Sequence, residues 1–168
     1  MGRVAKWIDL PPVWLALFLA LGWLQADRMP IGPAGGPVSE LLAGLLVGGG
    51  ILLMLLAMSE MRRHRTTVLP HREAGALVTS GIFVRTRNPI YLGDQLILTG
   101  ALLWWAAWPS LVLVPLFGWL ITDRFILDEE RRLSARFGQS FDAYVARTPR
   151  WLPFAAPAGG GKAKGGRR

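Results

Sequence analysis

The 168-residue chain is 52% hydrophobic and only 18% charged, with its apolar residues gathered in long runs, so it reads as one domain solvated by a bilayer rather than by water. It contains no cysteine, which excludes disulfides, thiolate metal sites and a cysteine nucleophile, and its two histidines, His64 and His71, have no partners at metal-ligand spacing. The net charge of +8 sits beside apolar segments, where it reports topology and contact with anionic lipid rather than nucleic-acid binding.

The first apolar segment, Pro11 to Ala26, is short for a span and is expected to cover about 8–26 with help from Trp7 and Ile8. Arg3 and Lys6 before an apolar stretch resemble a signal peptide. However, Asp9, Pro11 and Pro12 interrupt the approach and Leu24-Gln25-Ala26 is a poor cleavage site, so a retained helix is expected. Residues 29–37, MPIGPAGGP, can only be a loop. A second span is expected over 39–61, with Ser39 as its N-cap and Glu40 in its first turn. Its Gly48-Gly49-Gly50 run reads as a place where a neighbouring helix approaches closely.

A basic loop follows, carrying Arg62, Arg63, His64, Arg65, Arg72, Arg85 and Arg87. The third span is expected over 89–108 and the fourth over 110–128. Pro109 breaks them into a hairpin, with Trp104, Trp105 and Trp108 at its interfacial turn. The arginine-rich loop and both chain ends then share the cytoplasmic side by the positive-inside rule. Residues 129–147 read as a cytoplasmic amphipathic helix, interrupted near Gly138, with Leu133, Phe137, Phe141 and Tyr144 as its apolar stripe. The Gly-rich, basic residues 155–168 are expected to be disordered. The fold class is therefore all-α: a single integral membrane domain over 1–154, with about four spans and a cytoplasmic helix.

Polar residues near the cytoplasmic ends of the spans carry the chemical interest. Asn88-Pro89 opens the third span as cap residue and first-turn proline, beside Arg85 and Arg87. Gly81, in Thr79-Ser80-Gly81-Ile82-Phe83, permits a tight turn just upstream. Tyr91, Asp94 and Gln95 follow within two turns on roughly one face. An intramembrane carboxylate such as Asp94 needs a polar cavity or a partner, for which Arg124 is the structural candidate. Asp123 and Arg124 interrupt the fourth span, and Asp128, Glu129 and Glu130 end it opposite Arg87, Asn88 and Tyr91. Such a pocket, with acids on one wall and a helix start on the other, suits a zwitterionic cofactor with a positive centre.

At these residues the sequence resembles the isoprenylcysteine carboxyl methyltransferase and phospholipid methyltransferase family of membrane enzymes. Three blocks carry the resemblance: Gly81-Ile82-Phe83 with Arg87-Asn88-Pro89-Ile90-Tyr91-Leu92-Gly93, then Glu129-Glu130 with Leu133 and Phe137-Gly138, then Tyr144 with Pro149-Arg150-Trp151. The resemblance implies S-adenosylmethionine as cofactor, held on the cytoplasmic side by Gly81, Arg87, Asn88, Tyr91 and Glu129 with Glu130 close by, and an acceptor that enters from the bilayer. Many members carry histidine where this chain has Asn88, and asparagine keeps the hydrogen bonding but cannot exchange a proton near neutral pH. A carboxylate acceptor needs a cation, for which Arg124 and Arg150 are candidates. An amine acceptor needs a base, for which Asp94 and Glu130 are candidates. Prenylcysteine-like carboxylates, phospholipid amines and small lipophilic acceptors all remain open at this level. The competing readings are a membrane scaffold or transporter subunit, which leaves the clustered blocks unexplained, and a nicotinamide-dependent membrane reductase, for which there is no phosphate-binding glycine fingerprint.

Overall fold

The computed structural model describes residues 9–65 and 75–151, and the regular elements among them are all helical. The expected extension of the first span through Trp7 and Ile8, the charges of Arg3, Lys6, His71 and Arg72, and the tail from residue 155 lie outside the described residues.

Helix α1 (Pro11–Arg28) starts on two prolines, which the first turn accepts because its amides need no intrahelical acceptor. Helix α2 (Pro37–Arg63) starts two residues before the expected Ser39 cap. Gly36 takes the cap position, and the ring of Pro37, first in the helix, fixes its own φ near the helical value. Ser39 stands one turn on, where its Oγ accepts the Gly36 N–H at 2.8 Å and donates to the Gly36 carbonyl at 2.8 Å.

Helix α3 (Pro89–Trp104) is 16 residues long and ends before the expected 108. Its end is a Schellman turn: Ala106 takes φ 51°, Ala107 N–H reaches Leu102 O at 2.8 Å, and Ala106 N–H reaches Leu103 O at 3.1 Å. Pro109 is therefore not the breaker. It opens a short 3-10 turn (Trp108–Val112) that leads into α4 (Leu113–Ile121), a π turn (Thr122–Ile126) and α5 (Leu127–Phe137) as one continuous rod.

Among the described residues, two helices are long and apolar enough to cross a membrane. They are α2, with 27 residues and mean hydropathy 2.5, and the Trp108–Phe137 rod, with 30 residues and mean hydropathy 1.6. At 1.5 Å per residue α3 rises about 24 Å, less than the ~30 Å hydrocarbon core.

Antiparallel α2 and α3 touch through small residues seven apart: Ala43, Gly50 and Ala57 on one helix, Gly93 and Gly100 on the other, all buried. A methyl on Gly50 would lie 2.7 Å from Gly93 O, and one on Gly100 would lie 2.7 Å from Ala43 O. Gly48 and Gly49 have nothing within 4 Å, so within the glycine triplet the close approach belongs to Gly50.

The main core joins Phe18 of α1 to Leu98 and Leu102 of α3 and to Phe117, Ile121, Phe125 and Ile126 of the rod. The Phe18 and Phe117 rings meet edge-on at 5.3 Å. At the hairpin end, Ser110 Oγ donates to Gln25 at 2.8 Å and Trp108 Nε1 donates to Pro33 O at 2.8 Å.

Past α5, Gly138 takes φ 48° and starts the return helix α6 (Gln139–Val145). The expected apolar stripe is divided there. Phe141 and Tyr144 are buried, whereas α5 has no buried residue and leaves Leu133 and Phe137 half exposed. Tyr144 Oη donates to Phe83 O at 2.7 Å, which fastens α6 to the 3-10 turn Gly81–Val84. Tyr144→Phe removes the donor from a buried carbonyl and is expected to cost about 1 kcal/mol, read as a lowered unfolding temperature in detergent.

Candidate active site

The site is built where the segment 86–88 enters α3. Thr86 is 1% exposed; its Oγ1 donates to Arg150 O at 3.0 Å and accepts the Asn88 N–H at 3.2 Å. Asn88 holds the cap position of α3, but its side chain does not cap the helix. Its Nδ2 points away and donates to Arg150 O at 3.1 Å, while Arg87 N–H donates to Pro149 O at 3.0 Å. The carbonyls of Pro149 and Arg150 thus hold the segment before α3 in place.

Glu130 ties this layer to the rod. One of its oxygens meets Arg87 Nη1 at 3.0 Å, and Arg150 binds both, at 3.1 and 2.6 Å. The carboxylate is 18% exposed and the Arg87 side chain 12%, so water screens the pair poorly. The Glu130 hydrogen bond holds Arg150 above its ordinary pKa. Burial pulls Arg87 below its own, with Glu130 opposing the change. Burial also pushes the Tyr144 hydroxyl up, which keeps it a donor. With two arginines on its oxygens, Glu130 is a clamp in this geometry rather than a group aimed at an acceptor. Among the described residues, Arg87 Nε is a buried donor with no acceptor.

Tyr91, one turn into α3, donates to Glu129 at 3.4 Å, and Glu129 keeps exposed surface at the edge of this layer although neighbouring side chains crowd its carboxyl end. Asp94 lies one turn deeper, 3% exposed. The expected Asp94–Arg124 pair does not form. Arg124 Nε instead binds Asp9 at 2.6 Å, and its guanidinium lies 5.4 Å from the Trp14 ring centroid. Trp14 Nε1 also donates to Asp9, at 3.1 Å. Arg124 therefore fastens the start of α1 to the rod and stands outside the cluster.

The π turn explains this placement. One residue more or fewer in a helix rotates everything beyond it by about 100°. The widened turn buries Phe125 and Ile126 while Asp123 and Arg124 stay exposed, and the acids of α5 then face the start of α3.

Gly81 takes φ 57°, and a Cβ there would lie 2.9 Å from the Glu60 carboxyl group. Its observed neighbour is thus Glu60, at the end of α2. Glu60 accepts from Ser80 Oγ at 2.5 Å and lies 3.4 Å from both Arg63 Nη1 and His64 Nε2. Sequence reasoning missed this second cluster and missed Thr86, because a lone glutamate at a helix end and a threonine between arginines carry no spacing signal.

Among the sequence-predicted residues, the structure joins Arg87 and Asn88 to Glu130 through Arg150, pairs Tyr91 with Glu129, and sets Asp94 just inside. Among the described residues the regular elements are all helical, two helices are long and apolar enough to cross a membrane, and polar groups of α3 and the rod gather in one layer. The phospholipid methyltransferase family model matches residues 38–140, more than half of the chain, and the chain belongs to that family of membrane methyltransferases. No curated protein and no solved structure shows a match to it. The matched stretch runs from α2 into α6 and so contains Arg87, Asn88, Tyr91, Asp94, Glu129 and Glu130.

Proposed function

We propose that the chain is an S-adenosylmethionine-dependent methyltransferase acting on a lipophilic acceptor at the cytoplasmic membrane face. The observation that carries the reading is the meeting of Arg87, Tyr91 and Glu129 at one polar layer inside the family-matched stretch. The residues suit the cofactor. Arg87 Nε, a buried donor with no acceptor among the described residues, matches a carboxylate, and the Glu129 carboxylate offers an acceptor to an ammonium or ribose hydroxyls. Bound S-adenosylmethionine supplies a methyl group on a sulfonium. The protein's own contribution is alignment: Thr86 and Asn88 fix the Arg87 segment through Arg150 O, and Tyr91 holds the Glu129 carboxylate. The acceptor reaches the site from the bilayer. In this reading α1, α2, α3 and the rod make four passes with both termini cytoplasmic, supported by the arginines gathered beside the site.

Calorimetric titration of S-adenosylmethionine into detergent-solubilised protein tests this, with Glu129→Gln as the variant. Wild type is expected to bind and the variant to lose about tenfold or more in affinity, the worth of one charge-assisted hydrogen bond. Folded wild type that fails to bind would sink the reading.

A further inference from the structure

The cluster around Glu60, at the C-terminal end of α2, has a task that its own contacts do not exhaust. Glu60 is buried. One of its oxygens accepts from Ser80 Oγ at 2.5 Å and the other meets Arg63 Nη1 at 3.4 Å. Ser80 gives its single proton to Glu60, so its Oγ accepts from His64 Nε2, 2.8 Å away. Both oxygens of Glu60 and the hydroxyl of Ser80 are thus engaged within the cluster, which points to support rather than to ligand contact. Ser80 opens the 3-10 turn Gly81–Val84, and from it the hydrogen bonds run on towards Arg87. Ser80 O accepts Phe83 N–H at 3.1 Å, and Ile82 O accepts Arg85 N–H at 3.0 Å and Thr86 N–H at 3.4 Å. Thr86 Oγ1 then accepts Asn88 N–H, on the far side of Arg87. The Phe83 ring packs in a small core with Ala57 of α2 and Val78, and its carbonyl takes the Tyr144 hydroxyl. Gly81, with φ 57°, makes room for the approach, since a Cβ there would lie 2.9 Å from the Glu60 carboxyl group.

We propose that Glu60 is a positioning residue for the cofactor: through Ser80 it sets the Gly81–Val84 turn, and through the turn it sets the Arg87 side chain that receives the cofactor's carboxylate. The proposal rests on the methyltransferase reading above. Arg87 is pinned on its other side by Pro149 O at its N–H and by Glu130 at Nη1. With that side fixed, the direction in which Nε points depends on where the turn delivers the backbone. Hydrogen bonds weaken steeply as the donor swings out of line, so a small shift of the turn is felt at the cofactor. Gly81 serves the cofactor in the same indirect way, by letting Glu60 come close enough to hold Ser80. The dependence is confined to one end of the ligand. Losing the Glu60–Ser80 bond weakens the hold on the carboxylate and leaves the rest of the cofactor as it was.

The test titrates two ligands into the full chain in detergent: S-adenosylmethionine, and its decarboxylated form, which keeps the sulfonium and the amine but lacks the carboxylate. Wild type is expected to prefer S-adenosylmethionine by about tenfold or more. In Glu60→Ala and in Ser80→Ala that preference is expected to shrink to about twofold or less, by loss of S-adenosylmethionine affinity alone. Ser80→Thr keeps the hydroxyl and should restore the wild-type preference. Glu60→Gln still accepts the Ser80 proton but turns an amide towards Arg63 and His64, and should fall between. A general loss of folded protein would weaken both ligands alike, so the ratio separates positioning from stability. If Glu60→Ala does not fold, Ser80→Ala and Glu60→Gln decide. The proposal is overturned if the variants keep the wild-type ratio, if they lose both ligands equally, or if wild type binds the two equally well. Wild type that is folded and binds neither ligand marks failure of the methyltransferase reading instead.

Discussion

Glu130→Ala is expected to destabilise the protein by about 3–5 kcal/mol, the usual cost of removing one partner from a buried ion pair. The reason is what it leaves behind. Arg87, 12% exposed, would keep its charge with its only described carboxylate gone and Arg150 as a like-charged neighbour. Arg150 would also lose the bond that holds its backbone beside Thr86 and Asn88, so cofactor affinity should fall with stability. A control of equal bond length separates burial from distance. Arg131 Nη2 meets Asp128 at 2.6 Å with side chains 75% and 46% exposed, and Asp128→Ala should cost less than about 1 kcal/mol. Replacing Glu130 and Arg87 together by leucine and methionine should recover part of the loss, since no unpaired charge is then buried. Equilibrium unfolding in detergent measures all four proteins, and a Glu130→Ala loss no larger than that of Asp128→Ala would show that the clamp holds nothing.

Gly93→Val is expected to be the second severe change, at about 3 kcal/mol or more from overpacking. A Cβ at Gly93 would lie 2.6 Å from Met54 Cγ and 2.8 Å from Gly50 O. Methionine can move aside, but the Gly50 carbonyl belongs to the backbone of α2 and cannot. The two helices must therefore separate, and Asp94, the next residue, moves with α3. Gly48→Val is the matched control, because nothing lies within 4 Å of that position and the chain there gains a better helix former. Thermal unfolding with cofactor titration reads both. Equal stability of the two variants would mean that α2 and α3 do not pack as described.

Much of this protein is written locally. The helical class follows from apolar runs too long for strands and bounded by proline, and the Gly138 break follows from a glycine between two helical patterns. The grouping of Arg87, Asn88, Tyr91, Glu129 and Glu130 at one end was legible because antiparallel neighbours joined by a short turn must bring those ends together. The errors share one cause, which is that a local pattern admits several geometries. Proline at 109 reads equally as a breaker or as a first-turn residue, and only the Ala106 turn decides. A run of three glycines shows no face until a partner helix selects Gly50.

What the sequence by itself determined is the solvent, the helical class, the family and the end of the molecule that carries the polar groups. These depend on composition, periodicity and short spacings along the chain. Only the tertiary structure decided which charge meets which. It paired Arg124 with Asp9, at the far end of the chain, closed Arg87 and Arg150 on Glu130, and buried Asp94 with no hydrogen bond or ion pair among the described residues. The physical reason is that charge pairing depends on separations of a few ångströms between side chains distant in sequence. In this fold those separations are set by the π turn, which fixes the rotation of the rod, and by the glycine contacts, which fix how closely α3 lies against α2.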